Sequence, residues 1–185
     1  MPTSSPPPER YPLPQATDGA SFAALQAITG ARGKLPRPYG AALGAPDGAL
    51  ALDALSRSLW RSKTLPTDLR EAIYLLVARQ SACAHQWRNH LGPARTAGVS
   101  EADLQAIARG RPLPASSRLA DGLEFVRQLC EEGRVSDGIW AAVRQRHGAA
   151  GVAELPLFVS LAQAIAWLIN VQHTDAQPDE APWTA

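Results

Sequence analysis

From residue 47 onward apolar residues recur at intervals of three and four, the spacing of one face of an α-helix, and runs of β-branched residues long enough to make strands are few. Seven helices follow from this pattern. The first spans 48–61 with Asp47 as N-cap, turning Leu50, Leu52, Leu55 and Leu59 inward, with Trp60 near its end. The second, 65–80, is introduced by Pro66 and Thr67 and carries Leu69, Ile73, Leu76 and Val77 on one face. A third covers 82–97, where Gly98 supplies a left-handed stop. Ser100, followed by Glu101 and Asp103, caps a short helix that ends at Gly110, and 111–115 is a turn. Ser116 or Ser117 opens a helix to 132, Ser136 opens one to 147, and a last helix runs over 152–171, strongly apolar between 155 and 169. The class that fits is all-α, a helical bundle.

Before residue 48 the pattern breaks up. Nine of the 16 prolines fall there, and each ring removes a backbone donor and turns the preceding residue away from helix. Residues 1–47 therefore read as a proline-rich N-terminal arm, 48–174 as the helical domain and 175–185 as a polar tail. Within the arm, Phe22, Leu25 and Ile28 stand at helical spacing between Asp18 and Gly30 and predict one short docked helix. Its apolar face would pack on its own core or on a neighbouring subunit.

Composition narrows the function. With 18 Lys and Arg against 17 Asp and Glu the net charge is +1, too little for a phosphate backbone or an anionic membrane, so neither nucleic acid nor membrane is expected as a partner. The two cysteines, Cys83 and Cys130, suit a reducing cytoplasm better than a disulfide scaffold. Six prolines in the first 17 residues argue against a signal peptide, and the apolar run 155–169 is shorter than the roughly 20 residues of a membrane span.

Polar residues able to do chemistry concentrate between Glu71 and His90. On the helix 82–97, Cys83, Gln86 or Trp87, and His90 fall on one face, turn over turn, and would share one pocket wall. Cys83 and His85 would occupy the first turn, where unpaired N–H groups and the helix dipole favour an anion or a thiolate. Glu71 lies on the preceding helix, and a hairpin broken near Ser81 and Ala82 returns the chain toward it. A carboxylate facing an imidazole orients the ring and raises its basicity, which makes Glu71 and His90 a proton-transfer pair. His85 and His90 are five apart rather than four, a poor spacing for two metal ligands on one helix, so no metal site is expected, and this chemistry needs no cofactor.

These residues resemble the carboxymuconolactone decarboxylase and alkylhydroperoxidase D superfamily. The resemblance covers 33–171 and is densest over 65–110, through Leu65-Pro66, Arg70-Glu71, Val77-Ala78, the Cys83 to His90 segment and Ala94 to Ile107. The redox branch has a glutamate, then twelve residues on a Cys-x-x-Cys with histidine before its second cysteine, and a histidine four residues after it. Glu71, Cys83, His85 and His90 match those positions, whereas Gln86 stands where the second cysteine belongs. The decarboxylase branch tends to read Tyr-Glu-Trp-x-x-His there. Trp87 and His90 match it, and Gln86 replaces the carboxylate. The late Leu168-Ile169-Asn170 resembles the family's closing helix.

The resemblance implies an alkylhydroperoxidase D-like bundle that assembles as a homo-oligomer, a trimer or hexamer, around a small-molecule substrate. Glu71, Cys83 and His90 would be catalytic, with His85, Gln86 and Trp87 binding substrate. An amide is neither nucleophile nor general acid, so Gln86 turns the expectation from dithiol redox chemistry to acid–base chemistry on a small carboxylated lactone or carbonyl compound. A peroxidase using Cys83 as a single thiol and a non-catalytic oligomeric binding protein are the alternatives. Trp60, Trp140 and Trp167 read as core anchors, leaving Trp87 as the pocket tryptophan. Cys130 and His147 read as structural. Arg37, Arg111 and Arg118 read as surface, with one of them available to clamp an acidic substrate.

Overall fold

The computed structural model describes residues 10–172 and 182–183; the start of the arm and most of the polar tail lie outside the described residues. After a 3-10 turn at Ala16–Asp18 come α1 (Ala20–Arg32), α2 (Arg37–Ala42), α3 (Pro46–Arg61), α4 (Thr67–Gln80), α5 (Ala84–Thr96), α6 (Glu101–Ala108), α7 (Ala120–Glu132) and α8 (Asp137–Asn170), with no strand among the described residues. The all-α class expected from the periodicity is the class observed.

Helix α4 is the axis. Every residue from Asp68 to Ala78 is buried, so the single inner face expected for it is too narrow. It packs against α5, α8, α6 and α7. At the α7 contact the approach is so close that a Cβ on Gly122 would stand 2.7 Å from Leu69 Cδ1. Ser100 caps α6 as expected, its hydroxyl accepting from Asp103 N.

Two helix starts differ from the sequence reading. Pro46 opens α3 and Ala45 is its N-cap, which puts Asp47 inside the first turn; proline suits this position because its missing N–H is not needed there. Ser116 and Ser117 belong to a turn, where the Ser117 hydroxyl accepts from Leu119 N, and α7 begins only at Ala120. The two helices expected over 136–147 and 152–171 are both present and meet within α8 at Gly148, whose φ 71° and ψ −177° are not helical.

The inner face of α3 is wider than its leucines: Leu59 is buried and Leu52 and Leu55 pack against the core, and polar residues share that face. It buries Ala49, Asp53, Ser56 and Leu59, while Leu50 is 38% exposed. Polar residues can face inward here because the arm brings them partners. The arm itself is more ordered than its prolines suggest: α1 packs on α3 through Ala24 and Ile28, and α2 packs on α8 and α3 with Tyr39 and Gly40 buried. Pro36 and Pro38 sit at the N-terminal end of α2, where they cost no hydrogen bond. Of the two partners foreseen for the arm, the structure seats it on its own core.

Helix α8 has 34 residues and is, by length and composition, apolar enough to cross a bilayer, so the length argument against a span does not hold. Leu155, Phe158, Leu161, Ala162, Ile165 and Ile169 lie in the core that α8 shares with α2, α3, α4, α5 and α7.

Candidate active site

The hairpin that builds the site turns without glycine. Ala82 adopts φ 50°, Cys83 N donates to Ala78 O (2.8 Å) and Ala82 N to Arg79 O (3.3 Å), the paired bonds of a Schellman C-cap with alanine in the left-handed position. Helix α8 ties this turn down. Gln163 Nε2 donates to the Ser81 hydroxyl (2.6 Å), and Asn170 Nδ2 donates to the Ser81 carbonyl (2.8 Å). The asparagine of the closing helix therefore fixes the register at which α5 returns along α4.

At that register His90 faces Glu71, with Nδ1 and Oε2 2.7 Å apart. Neither neighbouring arginine claims the carboxylate. Arg70 instead donates to the carbonyls of Trp60 (3.0 Å) and Ser62 (3.1 Å) at the end of α3, a cation at a helix C-terminus, and Arg79 donates to the Ala108 carbonyl (3.0 Å). Where Glu71 accepts as a carboxylate, Nδ1 is the donor, and the neutral form of the ring then carries its lone pair on Nε2. The imidazole belongs to an aromatic cluster, 4.1 Å from the Tyr74 ring and 6.1 Å from Trp60, centroid to centroid, with those two rings 5.5 Å from each other. Burial pushes the Tyr74 hydroxyl far above its ordinary value, so it remains a neutral group beside the histidine.

His90 opens on a cavity of about 200 Å³ lined by Arg32, Pro36, Pro38, Tyr39, Ser56, Trp60, Tyr74, Gln86, Asn89, His90, Ile165 and Ile169. Gln86 is 1% exposed; its Nε2 donates to the Tyr74 carbonyl (3.1 Å), and its Oε1 has no hydrogen-bond partner among the described residues. A groove of about 330 Å³ elsewhere is larger, but its lining, including Leu76, Ile107, Leu123 and Ile139 with charges from Arg111, Asp121, Glu124 and Arg127, holds no histidine, cysteine or hydroxyl. Among the described residues no group of three or more His, Cys, Asp or Glu is placed to hold a metal ion.

Of the six residues singled out in the sequence, Gln86 and His90 line this cavity, and Glu71 reaches it only through its contact with His90. Cys83, His85 and Trp87 do not line it, which corrects the single shared wall expected for them. Cys83 is the N-cap of α5 and is fully buried in the core, and His85 is half-buried. Trp87 packs edge-on against Trp183 at 5.4 Å, and Arg79 covers the far ring. A common helix face does not bring Cys83 to His90, because seven residues advance a helix by about 10 Å.

Other roles shift too. Trp60 lines the cavity in place of Trp87, and Trp140 and Trp167 are exposed rather than core anchors. Cys130 is exposed on α7, with partial desolvation and the Glu131 charge holding its thiol above the ordinary value. His147 is half-buried, and burial followed by the Arg146 charge pulls its imidazole below the ordinary value. None of Arg37, Arg111 and Arg118 reaches the cavity, and Arg118 pairs with Asp68 at 2.7 Å. The guanidinium that does reach it, Arg32, carries no local sequence signal, since only the docking of α1 on α3 brings it there.

Residues 46–128 match the model of the Carboxymuconolactone decarboxylase family. No curated protein matches the chain. The matched segment contains Trp60, Glu71, Tyr74, Gln86 and His90; Arg32 and Tyr39 precede it, and Ile165 and Ile169 follow it.

Proposed function

Proceeding from residues 46–128 as a carboxymuconolactone decarboxylase family domain, we propose that the protein is an enzyme that moves protons on a small carboxylated lactone or carbonyl compound. The observation that carries this reading is the 2.7 Å contact of Glu71 with His90 at the wall of a cavity. His90 Nε2 exchanges the proton, and Glu71 holds the ring and stabilises the imidazolium. In a decarboxylation the bond to the carboxyl carbon breaks, carbon dioxide leaves, and its electron pair remains on the lactone as a dienolate. His90, having taken up a proton from solvent at Nε2, delivers it to a carbon of the dienolate and returns to neutral.

The peroxidase reading needs a thiolate that meets a peroxide. Cys83 is fully buried and outside the cavity, and Gln86 occupies the position of a resolving thiol. The test is carbon dioxide release from a γ-carboxylated butenolide by the full chain and by His90→Asn. Loss of turnover with retained substrate binding is the expected result. Equal turnover in the variant would overturn the acid–base reading, and no turnover in either protein would favour a non-catalytic binding role.

We further propose that the chain self-associates as a trimer or hexamer through α8. Its outer face carries Ala153, Leu157, Ser160, Ala164, Trp167 and Val171 at alternating spacings of four and three, with Leu157 50% and Trp167 62% exposed, and no charged residue stands between 155 and 171. A second copy presents the same uncharged stripe. Sedimentation of Trp167→Glu should show smaller species than the unsubstituted chain; an unchanged distribution would rule this face out.

A further inference from the structure

Arg32 is the only lysine or arginine among the residues lining the His90 cavity, and it comes from the arm, outside the segment that matches the family. Its fork is held still. Nε donates to Asp53 Oδ1, Nη2 donates to the Tyr39 hydroxyl (3.1 Å), and the guanidinium lies 5.2 Å from the Tyr39 ring centroid. These contacts leave both Nη1 protons and one Nη2 proton unused by any described residue. Asp53, 2% exposed, also accepts from Arg57 Nε at 2.7 Å. One carboxylate between two guanidinium groups leaves the cluster with one net positive charge, and the half that reaches the cavity is Arg32.

Gln86 supplies an independent constraint. Its Nε2 is committed to the Tyr74 carbonyl, so the amide cannot flip without losing that bond, and the buried Oε1 faces no protein donor. A buried acceptor of this kind needs a donor from whatever fills the cavity. The walls between these two points are aromatic rings and prolines. At roughly 30 Å³ of liquid per water, 200 Å³ corresponds to about six or seven waters, room for a single ring.

Resting on the reading of this cavity as the active site, we propose that Arg32 is its anion-binding and specificity-determining residue, selecting monocyclic monoanions that also carry a hydroxyl or enol. The carboxylate sits on the unused edge of Arg32, and the hydroxyl or enol donates to Gln86 Oε1. Asp53 and Tyr39 are positioning residues that act through Arg32. The arm thus supplies the substrate clamp that the family-matched segment lacks.

Isothermal titration of the full chain with 3-hydroxybenzoate, benzoate and 3-hydroxybenzamide separates the two contacts. The unsubstituted protein should bind 3-hydroxybenzoate about 10-fold or more tightly than either analogue, and Arg32→Gln should weaken it by about 10- to 100-fold, as expected for a charge-assisted hydrogen bond, and abolish the preference for acid over amide. The double variant Arg32→Gln/Asp53→Asn leaves no buried carboxylate short of a partner and should behave in the same way while staying folded by circular dichroism. An acid-over-amide preference that survives in both variants, or is absent from the unsubstituted protein, overturns the assignment of Arg32. That outcome leaves the proton-transfer reading standing if His90→Asn still abolishes turnover. Conversely, an Arg32-dependent preference beside full turnover in His90→Asn retains the clamp and removes the base.

Discussion

Cys83 and His90 stand seven residues apart on one face of α5, in opposite surroundings. The Cys83 end is core: the thiol-bearing residue is fully buried at the helix N-cap, and nearby Trp87 is stacked edge-on against Trp183. The His90 end is a wall: the imidazole is held by Glu71, stacked on Tyr74 and open to a cavity that Arg32 and Tyr39 close from the arm. A motif spacing specifies which face a residue takes, but what lies above that face is specified by whichever element packs there. The hairpin turn, pinned to α8 at Ser81, leaves the first turn of α5 under the core and carries the second half out to the arm. Gln86 lies between the two ends, buried like Cys83 and lining the cavity like His90.

The largest effect should come from the wall. Glu71→Gln keeps the shape of the side chain and removes the charge that supports the imidazolium, so turnover should fall by about 10²- to 10⁴-fold with little change in unfolding midpoint. A variant that kept its rate would make the Glu71–His90 contact structural only. At the other end the loss should be in stability: Trp87→Ala should cost about 3–5 kcal/mol in denaturant unfolding, with the rate per folded molecule retained. If that variant lost rate in step with Glu71→Gln, the two ends would be functionally one.

Gln86→Glu sharpens the boundary between them. A carboxylate cannot donate to the Tyr74 carbonyl, so the substitution should cost about 1–3 kcal/mol at neutral pH. Burial raises the folded-state pKa of the introduced carboxyl, so the loss should be absent below the unfolded carboxyl range and grow as pH rises through the folded value. A pH-independent loss would mean that water reaches position 86. Smallest of all, Cys83→Ser should leave turnover unchanged in the carbon dioxide assay; a large drop would move the chemistry back to the thiol end.

Much of this was legible in the sequence. The helix ends at Gly98 and Gly110, the Ser100 cap, the turn near Ser81 and Ala82, and the facing of Glu71 and His90 all depend on contacts within a short stretch of chain. Periodicity misled where burial was decided from a distance. Of the leucines expected inside α3, Leu52, Leu55 and Leu59 do pack on the core but Leu50 is exposed, and Asp53 and Ser56 are buried beside them because Arg32 and Tyr39 meet them there.

What the sequence determined by itself, then, is the all-α architecture, the α4–α5 hairpin and its Glu71–His90 contact, because helix period, capping and a short turn are local and leave their mark on local residues. Only the tertiary structure decided that Cys83 is core, that Trp60 and not Trp87 lines the cavity, and that an arginine 39 residues before Glu71 closes it. Those outcomes depend on α1 and α2 docking against α3 and α8, and an apposition between distant segments leaves no periodic trace in either of them.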